Sequence, residues 1–452
     1  MKTNIAFLIC MLSFFCFSVT SKAQANQLTL EQTVLAGLKA NPSVESARQI
    51  LEQSQLNVKA ARGSFMPSFT VQSSFSKYSL SGVVLTTDNL NRNIFNSELK
   101  ISQPLFAGYS ILNNYLKAKI QADADNARLN QSRLDLIFHI QQDFLQLLKS
   151  REDLKTVNNE IKRIESQMEA SKVFWKAGLA PYNEVLQNEV ELSKANTDKI
   201  KILNLIKNLI TQLNTYRSVP FDEDVKYVGD LQHFSFTVNY DENSAITTAL
   251  LKRPELLIGK RSIEIAEKDA KVTFSQYYPR VTLDYTRGHQ KTDFENYIYS
   301  AAKQDSYTIG INLRWNIFDG GTTTYSYRAA LRHIAALEKS LENQIAEAKA
   351  AIVKAFTNIE DAKKLIELSL KAKESALENY NMAAARYRTR IGTINDLFDA
   401  QYNLTRSESD ISNAYMQYHI AKAALFYHIG VENIGLNGVD LDSHRFDESL
   451  TN

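Results

Sequence analysis

The order of landmarks in residues 41–108 recurs in residues 253–320 at a fixed offset of 212 positions. Asn41-Pro42 answers to Arg253-Pro254, Pro67 to Pro279, Phe106 to Phe318 and Gly108 to Gly320. Proline lacks the backbone N–H and restricts the residue before it, so each of these prolines ends a helix. Each half then reads short helix, Pro, helix, Pro, strand, loop, strand, Phe-x-Gly, long helix, glycine-containing break, helix. The period is far too long for a solenoid. The chain is therefore read as one unit duplicated: residues 24–219, a linker over 220–241 with the acidic run Asp222-Glu223-Asp224, residues 242–430, and a polar tail over 431–452.

Glycine (15) and proline (7) are scarce in 452 residues, so turns are few and elements are long. Tyr109 to Lys176 contains neither residue and predicts a helix of about 100 Å. Ile137, Ile140, Phe144 and Leu147 open a 3-4 spaced apolar stripe that runs to Met168, interrupted by Arg151. A matching stripe runs from Ile352 to Ile391, interrupted by Lys363 and Lys373. Such stripes are coiled-coil seams. The shorter helices near 43–64 and 181–219, stacked end to end, span about 90 Å, close to the long helix.

Four segments alternate, near 65–78, 93–106, 279–288 and 305–318. In the last, Tyr307, Ile309, Ile311, Leu313, Trp315 and Ile317 face away from Ser306, Thr308, Gly310, Asn312, Arg314 and Asn316. An amphipathic sheet on a soluble core has this pattern, and so does a tilted transmembrane strand of about 10 residues. On the second reading Ile309, Ile311, Leu313 and Trp315 face lipid. Four strands cannot close a barrel, and open edges in lipid leave backbone groups unpaired at several kcal/mol each. A membrane role therefore demands several copies of the chain.

The N-terminus predicts an export signal: Lys2, a mostly apolar stretch Ile5 to Val19, and small-x-small cleavage sites at Ser21-Lys22-Ala23 or Ala23-Gln24-Ala25. Residues 1–23 are assigned to it. Both cysteines, Cys10 and Cys16, fall inside it, so the mature chain has no thiol or disulfide chemistry. Charge is balanced, 52 Lys+Arg against 50 Asp+Glu, which argues against nucleic acid as a partner. Seven scattered histidines form no HExxH or i, i+4 pair, and neither a phosphate loop nor GxSxG occurs. No enzyme, cofactor or metal site is expected. Two other readings of these residues stand beside a membrane-spanning barrel built by several chains: a periplasmic coiled-coil adaptor and a fibrous structural protein.

The duplicated helix–hairpin–helix unit, Phe-Ala-Gly and Phe-Asp-Gly, and the tips AGLAPYNEVLQNE (177–189) and IGTINDLFDAQYNL (391–404) together resemble the TolC family of outer-membrane efflux and secretion channels. The resemblance spans about 30–430. It implies a mainly α fold with a membrane β-barrel: a homotrimer whose chains each lend four strands to a 12-stranded barrel continued by a helical periplasmic tunnel. It implies passive conduction across the outer membrane of a Gram-negative bacterium. The partners it implies are a periplasmic adaptor, an inner-membrane transporter of RND, ABC or MFS type, and outer-membrane lipid.

The resemblance also assigns sites. Asp396 and Asp399, spaced i, i+3, would line the periplasmic entrance. Gly178, Leu179, Gly392 and Thr393 would form the adaptor-docking tips. The interval from Gly392 to Asp396 is two residues shorter than that from Gly178 to Glu184. The family's tip arginine then has no direct match, and Glu184, Arg388 and Arg390 are the latch candidates.

Overall fold

A computed structural model describes residues 26–80, 90–223, 225–232, 240–295 and 302–434. The expected export signal (1–23) and the tail beyond residue 434 lie outside the described residues. The first half comprises β1 (Asn26–Leu28), α1 (Leu30–Ala40), α2 (Pro42–Gly63), β2 (Ser68–Leu80), β3 (Leu90–Phe106), α3 (Ser110–Lys176) and α4 (Asn183–Tyr216). After β4 (Val225–Tyr227), the second half repeats the order with α5 (Glu242–Lys252), α6 (Pro254–Phe274), β5 (Arg280–Glu295), β6 (Ala302–Arg314), α7 (Thr322–Arg388) and α8 (Ile394–Ile429). Among the described residues no helix is long and apolar enough to cross a membrane.

Both long helices have 67 residues and start 212 positions apart. Each is launched by the Phe-x-Gly turn. Gly108 and Tyr109 hold φ of 61° and 68°, and Gly320 and Gly321 hold 71° and 88°. Two left-handed residues in a row turn the strand into the helix. At Gly108 a side chain is also excluded sterically, because a Cβ would sit 2.5 Å from the Ser275 carbonyl oxygen.

The helices form a wall. α3 packs against α2 and α4 on one side and α6 and α8 on the other, and α7 packs against α6 and α8. The two shorter helices of each half therefore lie in line beside a long one, as the lengths predict. The sheet follows the same order, β2-β3-β5-β6, antiparallel throughout. Wall and sheet thus share two free edges, α2/α4/β2 and α7/β6.

The first-half stripe is core as expected: Ile140, Phe144 and Leu147 are fully buried, with Leu213 of α4 and Tyr227 of β4. The linker is not a simple tether. Its β4 pairs in parallel with β1, Tyr227 donates to Asn214 Oδ1 at 2.6 Å, and Arg151 donates to the Tyr227 carbonyl oxygen. The polar interruption in the α3 stripe thereby satisfies a buried strand. The second-half stripe is covered only in part. Ile352 is buried against α5 and α8, but Leu370 and Leu377, on the free α7 edge, are 47 % and 44 % exposed.

Strand boundaries differ from expectation. β3 and β5 extend further than read, to 17 and 16 residues. β6 ends at Arg314, so Trp315 and Ile317 lie beyond the strand. Trp315 turns there to donate its indole N–H to the Tyr277 carbonyl oxygen at 3.0 Å.

Candidate functional site

Two features of the wall can carry function: the sheet at one end and the paired helical turns at the other. Cross-strand register aligns the alternating residues of all four strands. Phe69, Ile101, Tyr285 and Ile309 form one row, and Val71, Leu99, Arg287 and Tyr307 the next. Leu283 pairs with Ile311 and Val281 with Leu313 on the same face. Phe69, Val71, Ile309, Ile311 and Leu313 are each more than 60 % exposed, an apolar face that nothing among the described residues covers. The opposite face carries Thr70, Lys100, Thr286, Thr308, Glu98 and Asp284. Asp284 accepts from Ser102 (2.5 Å), Asn312 (2.5 Å) and Thr282 (3.2 Å). At the helix end of the apolar face sit exposed Tyr109, Tyr278, Trp315 and Phe318, an aromatic margin.

At the opposite end, α3 turns into α4 through Gly178, at φ 72°. α7 turns into α8 differently from expectation. The left-handed residue is Arg390, at φ 59°, not Gly392. Gly392 serves close approach instead, since a Cβ there would meet Arg386 Cβ at 3.0 Å. Gly178 and Arg390 are 212 positions apart, as are Glu184 and Asp396. The apparent two-residue shortening of the second tip therefore disappears. It came from aligning glycine with glycine rather than turn with turn.

Of the two candidate arginines, it is Arg390 that reaches across to the first tip. Its guanidinium forks onto Glu184 at 3.0 and 3.1 Å and also donates to the Leu179 carbonyl oxygen at 2.9 Å. It lies over the rings of Phe174 and Tyr387, 5.2 and 5.5 Å from their centroids. The buried Tyr387 hydroxyl donates to Glu184 at 2.6 Å and lies 2.9 Å from Ser171 Oγ, which accepts from Asn188 at 3.0 Å. Burial pushes the Glu184 carboxyl up, but hydrogen bonds from Arg390 and Tyr387 outweigh it and hold the group below its ordinary value. The result is a clasp joining the first hairpin (α3/α4) to the second (α7/α8). Sequence reading selected Glu184 and Arg390 but missed Tyr387, Ser171 and Asn188. Arg388 stays outside: among the described residues it makes no ion pair, and it is exposed.

Asp396 and Asp399 are both exposed, while Ile394, Leu397 and Ala400 bury the other face of α8. Asp396 also closes a capping box. It accepts from the Thr393 hydroxyl (2.8 Å) and the Thr393 N–H (3.0 Å), while its own N–H donates to Thr393 Oγ1. The Thr393 hydroxyl holds its carboxyl below the ordinary value. Among the described residues no acid or histidine cluster could hold a metal.

A helical wall ending in a four-stranded sheet, apolar on one face and polar on the other, is the protomer of an outer-membrane channel. Comparisons agree. Residues 36–216 and 245–431 match the family described as outer membrane efflux protein, and the chain belongs to that family. Among curated proteins it is similar to outer membrane protein TolC of Vibrio cholerae, 24 % identical over 367 residues covering 76 % of this chain and 80 % of that protein. It is also similar to the alkaline protease secretion protein AprF of Pseudomonas aeruginosa, 20 % identical over 435 residues, with coverage of 92 % and 88 %. Among solved structures, the Campylobacter jejuni CmeC outer membrane channel superposes with a TM-score of 0.77 at 17 % identity, covering 89 % of this chain and 85 % of that one. The family is one of channel proteins, and this chain is an outer-membrane member with a periplasmic helical tunnel.

Proposed function

We propose that three copies of this chain close head to tail into one exit duct, through which a tripartite efflux pump or type I secretion system discharges its cargo. The observation that carries this reading is the pair of free edges. Among the described residues β2 and β6 each lack a neighbour on one side, and in lipid that is untenable for a single chain. A β6-to-β2 contact repeated around an axis removes every edge, and the same operation covers Leu370 and Leu377 on α7. The apolar sheet face then meets lipid through Ile309, Ile311 and Leu313, with Trp315 at the margin, and the polar face lines the lumen. Conduction is passive. The energy comes from an inner-membrane transporter of RND, ABC or MFS type, joined through a periplasmic adaptor that meets the tips at Gly178, Leu179, Gly392 and Thr393. The Glu184–Arg390–Tyr387 clasp keeps the tips together in the resting duct, and Asp396 and Asp399 ring its entrance. Light scattering of the purified protein, with detergent mass subtracted, tests assembly. A trimer mass is expected, and a stable monomer refutes the duct.

A further inference from the structure

The duplication makes one departure conspicuous. At the base of the sheet, where strands meet helices, Ser68 of β2 faces Ser102 of β3. Advancing both by 212 positions gives Arg280 of β5 facing Arg314 of β6. The same place in the fold is thus neutral in one half and doubly cationic in the other. The fold has no need of charge there, as the serine pair shows.

The arginine pair is also unfavourable as it stands. Directly opposed residues of an antiparallel pair lie about 5 Å apart, and like charges there repel. Both arginines are exposed, and among the described residues neither makes an ion pair. The nearest acid along the same face of β5 is Asp284. It is already engaged by Ser102, Asn312 and Thr282. Register puts Arg280 and Arg314 on the face of Thr282 and Asn312, opposite Val281 and Leu313.

We propose that Arg280 and Arg314 form a cationic collar at the neck of the barrel, a binding site for multivalent anionic groups of cargo, phosphate or clustered carboxylate. This rests on the trimeric duct proposed above, in which two arginines per chain give six around one lumen. Each guanidinium presents a planar fork of donors suited to oxyanions, and a ring of them favours anions in a pore. The collar and the Asp396/Asp399 entrance then lie at opposite ends of the helical tunnel with opposite charge. Cargo that carries both signs meets a favourable field at each end.

The test uses purified full-length protein in a planar bilayer, with inorganic tripolyphosphate added on the barrel side at low salt, where screening is weak. Tripolyphosphate is expected to block the parent. Arg280→Ser/Arg314→Ser, which installs the first half's own pair, is expected to raise the half-blocking concentration at least about tenfold and to shift the reversal potential toward cations. Arg280→Gln/Arg314→Gln, closer in size, should do the same. A parent channel that conducts but ignores tripolyphosphate overturns the collar and leaves the duct standing. Block that is unchanged in both double variants also overturns it. If tripolyphosphate is ignored while anionic phospholipid stabilises the parent trimer and not the variants, the arginines hold lipid phosphate instead. A parent that never conducts refutes the duct itself.

Discussion

Gly178 and Arg390 occupy equivalent turns 212 positions apart and share a left-handed backbone, one residue suited to it and the other not. For a residue with a Cβ this conformation costs about 1–2 kcal/mol. What offsets it at Arg390 is reach: from that turn the guanidinium spans to Glu184 and the Leu179 carbonyl oxygen on the other hairpin. Arg390→Gly should therefore relieve the backbone, leave assembly intact and release the clasp. Single-channel conductance should rise, and Glu184→Gln combined with it should add little, because both remove one interaction. Fully additive conductance gains would show that the two residues act separately.

Acid should weaken the same clasp. The Glu184 carboxyl is held below its ordinary value of 4.5, chiefly by Arg390 once its burial is overcome. A depressed carboxylate stabilises above its unfolded value and stops doing so as pH falls through its folded one. Closure should therefore be indifferent to pH around neutrality and fail only below pH 4.5. Conductance recorded in acid steps checks this, with Glu184→Gln expected to lack the step. A transition near neutrality would place the controlling group elsewhere.

The fold was legible because the duplication and the two periodicities agree. Helix limits at Lys176 and Tyr216 fall close to those expected, and alternation located all four strands. The strand ends were not legible. Nothing in Arg314-Trp315 itself says that the ladder stops there, since that depends on register: Arg314 faces Arg280, where the partner strand begins after Pro279. The clasp was half legible. Charge drew attention to Glu184 and Arg390, but Tyr387 sits in the α7 apolar stripe and reads as core. Its hydroxyl matters only because Glu184, remote in sequence, comes within 2.6 Å. The glycine of IGT likewise drew the turn assignment away from the arginine that makes the turn.

The two faces of β6 give a sharp contrast. Ile311 pairs with Leu283 on the apolar face, while Asn312 on the polar face donates to Asp284. Ile311→Arg should cost about 2–4 kcal/mol at mid-bilayer and reduce inserted trimer. Asn312→Arg should be tolerated, a cation placed beside Asp284. Heat-modifiable migration of outer-membrane fractions reads both, and equal losses would refute the facing.

Docking is best tested at Leu179. It is 60 % exposed at the first tip, and only its backbone takes part in the clasp. Leu179→Arg should abolish export while the trimer still inserts. Thr393→Arg should also fail in export, but it removes an N-cap worth about 1 kcal/mol and so confounds docking with local stability. Thr393→Asp, which keeps a capping oxygen, separates the two. Normal export from Leu179→Arg would reduce the first tip to a turn.

Asp396 and Asp399 carry the last prediction. Their i, i+3 spacing places both on the exposed side of α8. Asp396 already has a structural role in its capping box with Thr393, and an acid in a first turn is favoured by the helix dipole. Asp399 has no capping role, being exposed and without a hydrogen bond among the described residues. In a closed trimer the pair would become six carboxylates around the entrance, a ring that attracts cations. Asparagine still accepts a hydrogen bond at the cap, so Asp396→Asn/Asp399→Asn should fold and assemble as the parent does. Its reversal potential in a salt gradient should move toward zero, and block by multivalent cations from the tip side should weaken. Asp399→Asn alone should give a large part of both effects, because it leaves the cap untouched. If the double variant keeps the parent's cation preference, these carboxylates serve only the helix, and the ring that selects ions lies elsewhere in the tunnel.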